Sequence, residues 1–298
     1  MKKFLFTLFV IAISLLQGKA QTKTYVFATY TYATNNRLQN LTPLVTLLSE
    51  KTGLNIKAKS YPTVQALINA IKTDSVDFAM MNTSGYLVLE RKHPNLVAPL
   101  VNLDLGNNPN VSYSGCLIAN KQTGIVSTKN WKVNTKKYSL ALVNSASTSG
   151  NLVPRLILNR KGIPNPEASF HVGYSGTHKK VVEEVLNGTA DLGGCGCAEV
   201  DSARKYLSFD SKSIVIYSLG DIPLGPIVFN TKLNETVVKL ISEHLLTVHR
   251  VDPAVFANFC DGWSEFKQAK QFKTVSDKHY DSFRKLFGNN TQLWKLIE

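Results

Sequence analysis

A chain of 298 residues with a formal charge of +13 is long enough for roughly two domains of about 100–200 residues, each able to bury a core. The positive balance favours anionic partners, but the lysines are scattered and no helix-turn-helix, zinc-finger or RNA-binding signature accompanies them, which argues against nucleic acid. Four cysteines are too few for a disulfide scaffold, so the fold must rest on its core.

The chain opens with Lys2 and Lys3, an apolar run from Phe4 to Ile13 that continues past Ser14 through Leu16, and then Gly18, Lys19 and Ala20. This pattern predicts a signal peptide over residues 1–20, cleaved after Ala20, and export to the periplasm. The run is shorter than the ~20 residues that span a bilayer, and polar Gln17 and Lys19 follow it. No cysteine stands at the cleavage point for a lipid anchor. Export would carry Cys116, Cys195, Cys197 and Cys260 into an oxidising compartment, where the three complete pairings of four cysteines all stay open.

From Thr24 short apolar runs alternate with longer helical patterns, as parallel α/β units do. The pattern predicts strands over 25–29, 56–61 and 76–81 and helices over 41–52, 64–72 and 86–92. Thr42 and Pro43 start the first helix and Gly53 ends it. The logic then repeats, with strands over 138–143 and 169–172, a short strand at Asp191 and another over 213–218. Helices are predicted between them over 151–161, 178–187 and 199–206. Leu67, Ile68, Ile71, Val76, Asp77 and Phe78 lie 114 positions before Val181, Val182, Val185, Ala190, Asp191 and Leu192. This spacing fits either an internal repeat or two independent βαβ units.

Apolar segments over 115–119 and 227–230 read as hinge strands where the chain passes between two lobes and returns. The expected division is residues 21–114 and 226–298 in lobe 1 and residues 115–225 in lobe 2. Helices over 235–249 and 252–260 follow, and the tail to Glu298 is predicted to be helical and to pack on lobe 1.

The strongest local signal is Asn144-Ser145-Ala146-Ser147-Thr148-Ser149-Gly150, set between a predicted strand and a predicted helix. A helix start offers free backbone N–H groups and the positive end of the macrodipole, and hydroxyls beside it add donors for an oxyanion. An ordinary N-cap needs only one such hydroxyl and is the favoured reading; four in five positions narrow its lead over the anion reading. The arrangement recurs at Asn82-Thr83-Ser84, where cap and anion site are again both open. A third loop, Tyr174-Ser175-Gly176-Thr177-His178, places His178 near a positive helix end. There a neutral imidazole is favoured and still donates one hydrogen bond; a solvated histidine is the alternative.

Cys195-Gly196-Cys197 admits a local disulfide, simple packing or a soft ligand such as a metal or arsenite, but no partner at zinc spacing accompanies it. Ser147 or Ser149 with His178 and Asp191 can be drawn as a hydrolase triad, although no G-x-S-x-G elbow, P-loop or dinucleotide fingerprint is present.

An ordered set of pieces carries a resemblance. They are Pro43-Leu44 with Leu48-Ser49-Glu50-Lys51-Thr52-Gly53, Val76-Asp77-Phe78-Ala79, Ser147-Thr148-Ser149-Gly150 with Pro154, Gly176-Thr177-His178, Asn187-Gly188 with Asp191, and Ile222-Pro223 with Pro226. In this order they resemble the periplasmic phosphate, phosphite and phosphonate substrate-binding proteins of ABC transporters. The resemblance implies an α/β, two-lobed type II periplasmic-binding fold that closes on its ligand, with no enzyme activity and no cofactor. It implies that Ser147, Thr148 and Ser149 bind anion oxygens, with His178 adding a donor. Members that bind aminoalkyl phosphonates use carboxylates and tyrosines where this chain has Ala198 and Gly225, and Val64 and Met81; Glu199 is displaced by one residue and Tyr61 by three. A simpler phosphorus oxyanion is therefore expected, bound by a monomer that hands it to a permease and ATPase. Ser147, Thr148, Ser149, His178, Asn82, Thr83 and Ser84 are the candidate ligand-binding residues. The alternatives are an oxyanion or arsenite sensor working through Cys195 and Cys197, and a secreted serine hydrolase.

Overall fold

The computed structural model describes residues 23–32, 37–106, 112–128, 138–288 and 294–295; the expected signal peptide and the end of the expected tail helix lie outside them. β1 (Thr24–Tyr30), α1 (Leu38–Thr52), β2 (Asn55–Tyr61), α2 (Val64–Lys72), β3 (Phe78–Met80), α3 (Thr83–Lys92) and β4 (Val97–Asp104) build the first lobe. The chain then enters the second lobe with β5 (Gly115–Asn120) and β6 (Ser139–Leu142). A single π-helical turn over Thr148–Leu152 leads into α4 (Val153–Arg160), followed by β7 (His171–Tyr174), α5 (His178–Leu186), β8 (Leu192–Gly196), α6 (Cys197–Tyr206) and β9 (Ser213–Leu219). The return is β10 (Ile227–Asn230), α7 (Glu235–Val251), α8 (Pro253–Asp261) and β11 (Gln271–Thr274).

The strands form two sheets, one in the order β11-β4-β10-β3-β1-β2 and one in the order β7-β6-β8-β5-β9. β1 runs parallel to β2 and β3, and β6 runs parallel to β7 and β8. The segments expected to be hinge strands are β5 and β10, each an interior sheet strand antiparallel to its neighbours.

The two lobes repeat one device. Asp77 accepts the N–H of Val26 at the start of β1, at 2.8 Å, and Asp191 accepts the N–H of Ser139 at the start of β6, also at 2.8 Å. The N–H groups of Asn230 and Asn120, at the ends of the antiparallel strands, donate to the carbonyls of Asp77 and Asp191. Matching bonds at positions 114 residues apart favour the internal repeat.

Three elements depart from the sequence pattern. α1 starts at Leu38, ahead of Pro43, because the Gln39 carbonyl that Pro43 cannot serve accepts from the Asn258 side chain of α8 at 3.4 Å. β4 was masked by Pro99, which lies opposite a register shift between Ile227 and Val228 of β10, the kind of irregularity where a strand proline is tolerated. The tail carries β11 rather than continuous helix; it pairs with β4 at the sheet edge and buries only Phe272, too short an alternation to read.

One apolar cluster joins α1, α7, α8 and the first sheet through Phe27, Leu44, Leu48, Ile241, Phe259 and Phe272. Another in the second lobe packs Val181, Val182 and Val185 of α5 on Ile118 and Val143. Each such side chain, once buried, contributes about 1.5–3 kcal/mol. The disulfide joins Cys116 to Cys197, while Cys195 and Cys260 are free and buried. This corrects the local C-x-C pairing: β8 ends at Gly196, and the turn into α6 brings Cys197 to Cys116 while Cys195 faces the core.

Candidate functional site

Of the helix starts capped by a side chain that accepts one of their own free N–H groups, four bear on one site. Thr63 caps α2, Asn82 caps α3, Ser147 caps the π turn leading into α4, and Thr177 caps α5. All four caps line one cavity of about 610 Å³ between the lobes. Two positive helix ends from each lobe therefore open onto the same space, which favours negative charge there.

The hydroxyl and imidazole groups at these ends are oriented by backbone donors. Thr148 Oγ1 accepts the N–H of Ser84 across the seam between the lobes at 3.1 Å. Its own proton stays available to a third group. His178 Nδ1 accepts the N–H of Gly196 at 2.9 Å, so the neutral ring carries its proton on Nε2. Burial, helped by the nearby Arg37 guanidinium, lowers the His178 pKa to about 4. A neutral imidazole with one donor is the result, as the sequence reading expects.

Ser147, Thr148, Asn82 and His178 are brought together in this cavity. Ser149 lies in an adjoining chamber of about 210 Å³ that shares Tyr113, His178 and Glu199 with the first. Its Oγ accepts from the Tyr113 hydroxyl at 3.2 Å. Thr83 and Ser84 line neither chamber: Thr83 Oγ1 donates to the Pro223 carbonyl at 2.6 Å, and Ser84 serves Thr148 through its backbone. The first turn of α3 is packed into the seam, so these two residues join the lobes. Asn82 does both, capping α3 and donating to the Ala146 carbonyl at 2.8 Å.

The sequence reading missed Tyr30, Tyr32, Arg37, Thr63, Tyr113 and Glu265 on the cavity wall. Thr63 was accessible to the same capping logic, since it directly precedes the helix starting at Val64. The others sit on strand ends and loops whose direction only the fold sets. Among the positions that differ from aminoalkylphosphonate binders, Val64 lines the larger chamber and Ala198 the smaller, while Met81 is buried. Gly225 is a packing requirement: a Cβ there would lie 1.9 Å from the Met81 carbonyl. Glu199 lines both chambers, and burial raises its pKa.

Two alternatives fail on geometry. The soft-ligand reading needs two free thiols, but Cys197 is disulfide-bonded and Cys195 is fully buried, its pKa raised by burial. The triad is not assembled among the described residues: no hydrogen bond joins a serine, His178 and Asp191, since Ser147 Oγ accepts the N–H of Gly150, Ser149 Oγ the Tyr113 hydroxyl, His178 Nδ1 the N–H of Gly196, and the Asp191 carboxylate the Ser139 N–H and hydroxyl.

A family model described as ABC transporter, phosphonate, periplasmic substrate-binding protein matches residues 27–280. Among solved structures, PhnD1 from Prochlorococcus marinus in complex with methylphosphonate is 17% identical, with 91% of this chain and 100% of that one covered at a TM-score of 0.72. A binding protein component of an ABC phosphonate transporter from Pseudomonas aeruginosa is 19% identical, with 93% and 94% covered at 0.69. A Xanthomonas citri protein bound to ATP is 18% identical, with 92% and 98% covered at 0.72. At such identities the likeness to these structures is one of fold. Among the described residues no helix is long and apolar enough to cross a membrane.

Proposed function

This chain belongs to the family of periplasmic phosphonate substrate-binding proteins of ABC transporters, and from that premise we propose that it captures a small phosphorus oxyanion, phosphate, phosphite or a phosphonate, for an importer. Export by the signal peptide over residues 1–20 brings the monomer to the periplasm. Residues 21–114 with 226–298 form one jaw and residues 115–225 the other. Ser147, Thr148, Ser149 and His178 hold the anion, with Asn82 facing them and Thr83 and Ser84 closing the seam. A permease and ATPase receive the ligand. The protein works by binding and release, without catalysis.

The observation that carries this reading is the convergence of four capped helix starts, two from each lobe, on one cavity. Donors to a charged group contribute about 1.5–3 kcal/mol each. Four of them sum to about 6–12 kcal/mol, a range that spans the roughly 8 kcal/mol of a micromolar complex. Neutral donors also avoid the desolvation penalty that a buried cation carries.

The test is thermal unfolding of the mature protein with phosphate, phosphite, methylphosphonate, sulfate and arsenate, because a ligand of the native state raises Tm by mass action. A shift confined to one or more phosphorus oxyanions supports the reading. No shift with any phosphorus oxyanion at millimolar concentration overturns it.

A further inference from the structure

Arg37 stands on the cavity wall as a buried cation whose partners leave part of it unserved. It is 5% exposed, and its Nε donates to the Gly262 carbonyl at 3.0 Å. Nη1 is buried with no hydrogen-bond partner. Among the described residues no carboxylate forms an ion pair with it. Instead its guanidinium carbon lies 4.7 Å from the Tyr30 ring, 4.9 Å from Tyr32 and 4.8 Å from Trp263. Ring faces attract the charge but do not accept its in-plane N–H bonds. With Nε committed to Gly262 and Nη1 closed off among the rings, Nη2 is the nitrogen left to meet an oxyanion.

Its position relative to the phosphoryl donors matters. The Tyr32 ring lies beside the guanidinium on one hand and stacks on His178 on the other, with ring centres 6.0 Å apart. Arg37 and His178 therefore share one aromatic neighbour, and both line the same cavity. That cavity, about 610 Å³, is also large for the task. At roughly 30 Å³ per water-sized group, the five heavy atoms of methylphosphonate fill only about a quarter of it.

We propose that Arg37 is a second anion subsite, and that the ligand is a short phosphonocarboxylate with its phosphoryl group near Thr148 and His178 and its carboxylate on Arg37. The proposal rests on the phosphorus-oxyanion reading and narrows it.

Titration calorimetry on the mature protein decides it, using phosphonoacetate and 3-phosphonopropionate, each beside its carboxamide, with methylphosphonate as the reference. At least one acid binds ten times or more tighter than its carboxamide, which matches it in shape and lacks the charge. In Arg37→Gln that gap falls below threefold, and Arg37→Lys retains part of it. Equal affinity within both acid–carboxamide pairs on the unmodified protein overturns the proposal whatever the variants do, and so does an undiminished gap in Arg37→Gln. Binding of methylphosphonate with equal pairs leaves the oxyanion reading standing; binding of none of the five removes both.

Discussion

Replacing Thr148 with Val preserves shape and deletes one hydroxyl, which holds the Ser84 N–H and, in the proposed function, donates to the anion. In the closed form Thr148 Oγ1 accepts the N–H of Ser84 from the opposite lobe at 3.1 Å, within a site where Thr148 is 2% exposed. Leaving that buried N–H unpaired costs about 1–3 kcal/mol, and losing a donor to a charged ligand costs about 1.5–3 kcal/mol. When the lobes open, water satisfies the N–H, so the first cost falls on closure and adds to the second. The expected loss is at least about 2.5 kcal/mol, a dissociation constant weaker by roughly seventyfold or more. Thr148→Ser keeps the oxygen and stays within about threefold. Calorimetry with the best phosphorus oxyanion, paired with ligand-free urea unfolding, reads both quantities. A Thr148→Val protein that binds within threefold of the unmodified one would falsify the assignment of this hydroxyl to the closed site.

Three further outcomes follow from named contacts. The disulfide Cys116–Cys197 spans 81 residues, so Cys116→Ser with Cys197→Ser lowers urea stability by up to about 4.5 kcal/mol in the chain-entropy account. In the intact protein a thiol reagent finds no fast-reacting group, and unfolding without reductant exposes both Cys195 and Cys260; rapid labelling before unfolding contradicts the pairing. The His178 pKa is lowered to about 4 from 6.5, so between those values the unfolded chain takes up a proton that the folded ring refuses. Stability is thus lost as pH falls through that window, by up to about 3 kcal/mol, and His178→Asn flattens this component of the urea–pH profile. Gly225→Ala sets a Cβ 1.9 Å from the Met81 carbonyl, and the forced backbone shift lowers stability by about 1–3 kcal/mol or more; unchanged urea midpoint and affinity would contradict it.

Interactions confined to a few consecutive residues were readable from the chain alone. Thr63, Asn82, Ser147 and Thr177 cap helices through N–H groups two or three residues ahead, and Gly53 ends α1 with positive φ. Asp77 and Asp191 announced a repeat by their equal spacing, because each feeds a strand from the preceding helix. The α/β class follows from such local pieces. β4 and β11 escaped because a proline and a short, charged run hide strands whose pairing is supplied by β10 and the sheet edge. The separation of Ser147 and Thr148 from Thr83 and Ser84 had no local sign either: identical cap chemistry faces the cavity in one case and the seam in the other.

By itself, then, the sequence determined that this protein alternates strands and capped helices in two halves of similar pattern, since capping and periodicity act over one helical turn or one strand. Only the tertiary structure decided that four caps share one cavity, that Cys116 takes Cys197 rather than Cys195, and that Arg37 meets rings from positions 30, 32 and 263. Those contacts join residues tens to hundreds of positions apart, and their geometry exists only after the sheets have packed and the lobes have closed.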